Sequence, residues 1–467
     1  MAKIFQLKNT TTLTLIGILL LAAFFRFYRL PEMANFDFDQ EYTSNFAYAV
    51  LREFPIQLIG QGLSVEGLFM GPLYFYYLVP FFAITNLHPI GGFVASVILG
   101  LIIIVAFFWV ASSLFGKTAG LIAAFLRAIL FIEIDHDWTM VPSYSSELLV
   151  LITWYCFYKY WQGQTKFLPL LGLSFGLYTS IHPILFPFYL VFIFLLIFKK
   201  LVPKLKTIIL SLACFLIPVL PLIIFEYLHS FWEVKKLFSF FSGSSGGSLD
   251  VNRLMHYAEF NLLEANRILN IQFLSSQIFI ILFLIIIFLL IRNKVGFWKD
   301  SFHKIMLAAT WVIFIVYYTI LPTHVSEYYF LGLTTLTLLY LAGTLSLLAK
   351  KTKLSKLVLI LILVNITIFN FGQLRERWLN PSLVTLVHKD DIVKEIIKRQ
   401  DNEQEFYVSY IPLPGWTFGF NYLFKYYEKM PQTREVKPPV YTIVIPKYLS
   451  PDSIDVSSGN IGLILPD

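Results

Sequence analysis

Long apolar runs alternate with short polar breaks along most of the chain. "TTLTLIGILLLAAFF" (11–25), "FVASVILGLIIIVAFFWVA" (93–111) and "LVLILILVNITIF" (357–369) set the pattern. An apolar stretch of about 18 residues or more with few charges reads as a transmembrane helix. After a first helix that ends in "FFRFYRLP", the pattern predicts helices near 90–113, 119–132, 144–160, 167–181, 183–199, 206–225, 272–292, 303–321, 326–348 and 356–371. That makes about 11 spans. "GPLYFYYLVPFFAI" (71–84) is too short to cross and is expected to lie at the interface or to re-enter.

Charge orients this set. Lys and Arg gather in "KKLVPKLK" (199–206), "RNKVGFWKDSFHK" (292–304) and "KKTKLSK" (350–356), which are placed inside with the N-terminus by the positive-inside rule. Lys3 and Lys8 precede the first run without a small-residue cleavage site after it, so an uncleaved first helix is expected. The loops 30–89, 133–143 and 226–271 then fall outside. They carry Asp37, Asp39, Glu41, Asp135, His136, Asp137, Glu226 and His229, and His182, His324 and Glu327 share their side. Titratable residues collect at one end of the bundle, so any chemistry is expected there.

Beyond Phe371 the texture changes. A helix-like stretch near 389–400 and the strand-like "EFYVSY", "VYTIVI" and "IGLIL" predict a small external α/β domain at 372–467, after a membrane domain at 1–371.

Composition narrows the function classes. The chain is 57% hydrophobic and 14% charged, where soluble domains approach a quarter charged. Its net charge of +7 comes from topogenic loops, so no nucleic-acid partner is expected. Cys156 and Cys214 sit inside apolar runs, which excludes a disulfide framework and a cysteine metal site. No P-loop, HExxH or Rossmann fingerprint occurs. No cytoplasmic loop is long enough for a nucleotide site, so an activated donor has to come from the membrane.

Several residues could carry chemistry. In "FDFDQE" either Asp37 or Asp39 can cap the helix implied by Phe46, Ala49, Val50 and Phe54, or accept a proton. Glu66, with the Gly71-Pro72 break and Tyr74 behind it, could shape a pocket beside them. "EIDHDWTMVPS" offers Asp137 and Trp138, a pairing suited to a sugar, or simply a solvated loop with an anchor. His182 lies where two helices meet. Glu226 follows Pro218 and Pro221 at a helix exit, and Arg127 is a strong base inside a span; both are costly unless paired. "SGSSGGS" (242–248) reads as a flexible linker before an amphipathic stretch, and Arg253, Arg267, Lys235 and Lys236 are bases able to meet a phosphate.

"FRFYRLPEMANFDFDQEYTSNFAYAVLREFPIQLIG" followed by "GPLYFYYLVPFF" resembles the N-terminal signature of GT-C-fold membrane glycosyltransferases. It is similar to bacterial family 39 and protein O-mannosyltransferase-like enzymes, which include the lipid A aminoarabinose transferases. "LLGLSFGLYTSIHPILFPF", "IPVLPLIIFEYLHSFWEV" and "SEYYFLGLTTL" look like later segments of the group, so the resemblance reaches about residue 371. It implies an all-α polytopic, GT-C-like bundle of 11–13 helices with the small α/β domain appended, and juxtamembrane helices between the first two spans.

The family's first-loop Asp acts at the reaction centre, which points to Asp39, with Asp37 as the alternative because Asp39-Gln40-Glu41 departs from the usual Asp-Glu pair. Glu66 is the nearest match to the family's second acid. Glu41, Tyr74, Asp137, Trp138, His182, Glu226, Arg253, Arg267 and Glu327 are the substrate-binding candidates. The implied reaction moves a sugar from a polyprenyl-phosphate donor to a lipid, glycan or protein acceptor outside a plasma or inner membrane, with inversion. No cofactor or metal is expected. The rival readings are a transporter or flippase of lipid-linked sugars, which would show mid-membrane polar residues and repeats, and an inactive glycan-binding membrane protein.

Overall fold

The computed structural model describes residues 10–54, 56–243, 250–271, 275–321, 325–349, 352–400, 405–432 and 439–466. Lys3, Lys8, His324 and most of the "SGSSGGS" segment lie outside the described residues.

Each expected span is a helix. They run Thr10–Phe27, Ile90–Phe115, Lys117–Ile129, Ser146–Trp161, Leu168–Ile181, Pro187–Lys199, Leu205–Leu228, Ser276–Arg292, Ser301–Ile320, Leu331–Leu348 and Lys353–Leu379. Among the described residues, six helical stretches are long and apolar enough to cross a membrane on their own. The others are shorter, and Lys117–Ile129 rises only about 20 Å. Leu205–Leu228 shows why lipid is the solvent here. Ile208, Ile209, Leu212, Leu216 and Ile217 are all exposed, and only Pro218 and Glu226 are buried. The chain is a multi-pass membrane protein.

Breaks in the sequence end these helices. Ile90–Phe115 starts after Pro89 and stops at Gly116, whose φ of 101° only glycine adopts without strain. Leu168–Ile181 packs on Leu205–Leu228 through Gly172 and Gly176, a G-x-x-x-G pair. A Cβ on either would strike a backbone carbonyl of the facing helix, at Ser211 or Phe215.

The loops sort into two ends. At one, Arg29 donates to the Trp378 carbonyl, Gln40 to that of Thr139, Gly71 N to that of Thr179 and Arg253 to that of Leu321. At the other, Tyr160 bonds Leu201, Phe115 packs on Phe297, and Lys199 lies over the Trp161 ring. The acid-bearing loops therefore share one end. Leu73–Ile84 belongs there as a twelve-residue helix of about 18 Å, well short of a 30 Å hydrocarbon core.

Lys353–Leu379 continues beyond Phe371 into the segment expected to be external. A four-stranded sheet follows, in the order β1 (Tyr407–Pro412), β2 (Val440–Ile445), β4 (Ile461–Ile464), β3 (Val456–Ser458). β1 and β2 are parallel; β2–β4 and β3–β4 are antiparallel. Helix Leu386–Arg399 packs on β3 and β4, and the short helix Phe420–Tyr426 lies in the β1–β2 crossover.

Candidate active site

The first-loop acids fold into one helix, Phe38–Tyr48, and part company there. Asp37 is its N-cap in a capping box, with its own N–H donating to Gln40 Oε1 at 3.0 Å. The Asp37 carboxylate also pairs with the Lys389 ammonium at 2.9 Å. Glu41 is buried, and its two oxygens accept from Gly419 N and Tyr422 N, both at 2.9 Å. Asp37 and Glu41 thus bind the C-terminal domain. Asp39 lies about 200° round the helix from Asp37 and engages a different partner. Gln61 Nε2 donates to its Oδ1 at 2.5 Å, and among the described residues nothing donates to the other oxygen.

Gln61 arrives on a narrow turn-back of chain. Gly60 N bonds Met70 O, Met70 N bonds Gln61 O, and Gly62 bridges Phe69. Position 60 must be glycine because a Cβ would strike the Phe75 ring and the Gly71 carbonyl. Glu66 sits at the exposed tip, five residues out from Gln61, so the residue that touches Asp39 is an amide and not the expected acid.

A cavity of about 380 Å³, within the range of small-molecule sites, opens at the same end of the bundle. Glu133, His136, Tyr144, Glu264, Arg267, Glu327 and Tyr328 supply its polar wall, and Phe260 and Leu331 part of its apolar wall. Tyr144 and Tyr328 both feel the Asp39 charge, as does Tyr74 in a narrow adjoining pocket. His136 stacks on Tyr144, with ring centroids 3.9 Å apart. Burial lowers its pKa to about 4; Glu133 opposes this and Arg127 adds to it. Burial raises the Glu264 carboxyl; Arg267 pulls it back while Glu133 and Glu327 push it up further. Glu133 is buried, and among the described residues its Oε2 has no hydrogen-bond partner, although it makes an ion contact with Arg127. Arg267 is 45% exposed and held loosely, 3.6 Å from Glu264.

Behind the cavity is a buried ion cluster. The Asp137 carboxylate meets Arg26 at 2.6 Å and Arg127 at 2.9 and 3.0 Å, and Arg127 also meets Glu147 at 2.7 Å and Glu133 at 3.3 Å. Burial alone would raise Asp137, but Arg127 and Arg26 outweigh it and hold its pKa low. Gly100 leaves room for this carboxylate, since a Cβ there would collide with it. Trp138 is buried and donates to the Arg26 carbonyl at 2.8 Å. The proposed sugar platform Asp137-Trp138 is therefore spent on tying Thr10–Phe27 to Lys117–Ile129 and the 131–137 helix.

Other candidates are also committed. Both Glu226 oxygens accept from Glu233 N and Val234 N at the start of helix Trp232–Gly243. Arg253 donates to Tyr257 Oη and the Leu321 carbonyl. His182 accepts from Ile184 N with Tyr328 and Tyr329 edge-on to its ring, and burial lowers its pKa to about 4. Arg267 and Glu327 line the cavity, and Tyr74 its neighbour. Sequence reasoning passed over Gln61, Tyr144, Tyr328, Glu133 and Glu264. Two of these had a readable signal: Glu133 with His136, and Glu264 with Arg267, each share a helix face at i, i+3. Among the described residues, no group of three His, Cys, Asp or Glu is arranged to hold a metal.

Comparison with known proteins places this geometry. Residues 70–225 match the family described as dolichyl-phosphate-mannose-protein mannosyltransferase. The fold matches ArnT from Cupriavidus metallidurans, solved bound to undecaprenyl phosphate and in the apo state, at a TM-score of 0.59 and 9% identity over 97% of both chains. The likeness to ArnT extends over the whole fold, and the family match covers about a third of the chain. The Archaeoglobus fulgidus oligosaccharyltransferase aligns more distantly, at a TM-score of 0.46 and 13% identity over 90% of this chain and 62% of its own. No curated protein matches the sequence. The shared fold takes in the bundle of spans, the juxtamembrane helix Leu73–Ile84 and the appended sheet domain.

Proposed function

We propose that this GT-C transferase moves a sugar from a polyprenyl-phosphate carrier to an acceptor hydroxyl or amide at the membrane surface, with Asp39 as general base. The observation that carries the reading is the state of Asp39. One oxygen is fixed by Gln61, the other is open, and the charge reaches two residues that line a 380 Å³ cavity. Asp37 and Glu41 hold protein partners instead.

The open oxygen takes the proton from the acceptor nucleophile as that atom bonds to the anomeric carbon. The bond from that carbon to the carrier phosphate breaks on the opposite face, its electron pair leaves with the lipid phosphate, and the configuration inverts. A cation must stabilise the departing dianion. Arg267 is the base on the cavity wall whose only ion-pair partner among the described residues is Glu264 at 3.6 Å, so it takes that role, while Arg253 is already engaged. Phe260 and Leu331 offer apolar surface to the first carrier units. Undecaprenyl phosphate bound to the similar ArnT fold supports a carrier of this class. The basic loops support placing this end outside a plasma or inner membrane, with the N-terminus cytoplasmic.

The test is release of sugar from radiolabelled polyprenyl-phosphate sugars by the purified protein in lipid. Asp39→Asn is expected to lower turnover by about 10²-fold or more, with Asp37→Asn far less affected. Equal turnover in Asp39→Asn and wild type would remove the base. Movement of labelled lipid between leaflets without consumption would favour a flippase.

A further inference from the structure

The contacts between the C-terminal domain and the first loop do more than attach one to the other. Asp37 and Glu41 are four residues apart and share one face of the helix Phe38–Tyr48, and Asp39 points from the other side. Both outer acids end on the C-terminal domain. Lys389 is fully buried, and its ammonium donates to the Phe36 carbonyl at 2.6 Å, the Phe418 carbonyl at 2.8 Å and Asp37 at 2.9 Å. Glu41 closes the other end of the turn on Gly419 N and Tyr422 N. Gly419 has φ of 94°, and a Cβ on it would strike the Phe36 carbonyl, so its approach depends on glycine. Leu386 N to the Ala34 carbonyl, Tyr422 Oη to the Leu87 carbonyl and Lys425 to Glu53 extend the same contact.

We infer that the C-terminal domain is a positioning clamp, in which Lys389 and the Gly419–Tyr422 backbone fix the rotation of the Phe38–Tyr48 helix and so the aim of Asp39. This rests on the reading of Asp39 as the base. A carboxylate about 6 Å from the helix axis moves about 2 Å for a 20° rotation. A displacement of about 1 Å can cost about 10²-fold in rate, so a clamp on the far face bears directly on turnover. The alternating acids follow from this arrangement: the outer two hold the helix and the middle one is left for chemistry.

Cysteine chemistry tests the clamp without a substrate. Asp39→Cys in a Cys156→Ala/Cys214→Ser background would be modified with a charged methanethiosulfonate reagent, and Glu66→Cys at the exposed loop tip would serve as control. Adding Lys389→Met is expected to change the rate at position 39 by about tenfold or more, through freer motion of the helix, and leave position 66 within about twofold. Glu41→Gln should act in the same direction, and Lys389→Arg should restore most of the clamped rate. If Lys389→Met unfolds the protein, Glu41→Gln decides. An unchanged rate at position 39, or a parallel change at both positions, would overturn the clamp. Turnover of Asp39→Asn is measured alongside: if it equals wild type, the general base falls and the thiol rates still judge the clamp.

Discussion

Replacing Arg127 with Met should be the most damaging single change behind the site. Arg127 is fully buried and faces Asp137, Glu147 and Glu133 at 2.9, 2.7 and 3.3 Å. Two guanidinium groups, with Arg26 the second, face three carboxyl groups in that cluster. Removing one partner of a buried pair costs about 3–5 kcal/mol, because the other charge stays buried and unpaired. Arg127→Met strands three acids against Arg26 alone, so about 4 kcal/mol or more is expected, a large share of a typical stability of about 5–15 kcal/mol. In detergent this should appear as an unfolding temperature lower by roughly 4 °C. Asp137→Asn loses its ion contacts to both arginines and should fall nearly as far. Glu147→Gln keeps an acceptor for Arg127 Nε and leaves two acids against two bases, so it should cost less than about 1 kcal/mol. If Glu147→Gln matched Arg127→Met, or Arg127→Met melted like wild type, charge balance would not be what holds the cluster.

Two further outcomes concern the cavity. Gln61→Leu removes the partner of Asp39 and should lower donor turnover by about 10–100-fold, whereas Glu66→Gln at the exposed tip should stay within about twofold. The reverse result would return Glu66 to the reaction centre. Burial sets the His136 pKa near 4 against 6.5 unfolded, so its contribution to stability is complete above pH 6.5 and is lost as pH falls toward 4. That loss amounts to roughly 3 kcal/mol at its full extent. His136→Phe keeps a ring on Tyr144 and should flatten the fall in unfolding temperature over that interval. An unchanged slope would mean that another group carries the acid sensitivity.

Hydropathy was enough to read the bundle because a lipid-facing helix has to be apolar along its length, as Leu205–Leu228 is, and a basic loop marks each turn at one end. The same logic separated "GPLYFYYLVPFFAI" from the spans by length alone. β3, three residues long with two serines, carried no such signal, and it pairs with β4 beside it. The site was legible as residue types and largely illegible as roles. An acid in a sequence looks the same whether it meets a side-chain amide, a backbone N–H or a guanidinium, and here Asp39, Glu41 and Asp137 meet those three partners.

What separates these roles is long-range. Glu41 is decided by residues 378 and 381 positions away, and Asp137 by Arg26, 111 positions away. Arg26 is not among the residues that the sequence marks as candidates, yet it is fully buried and holds the loop that looked most like a sugar platform. Such pairings have a common physical rule. A charge carried out of water at a membrane boundary needs a partner, and the chain can bring that partner from any segment that reaches the same end of the bundle. The acids that have found one build the structure. The Asp39 carboxylate, on a helix held from behind, keeps one oxygen without a donor among the described residues, and that is the oxygen the proposed reaction needs.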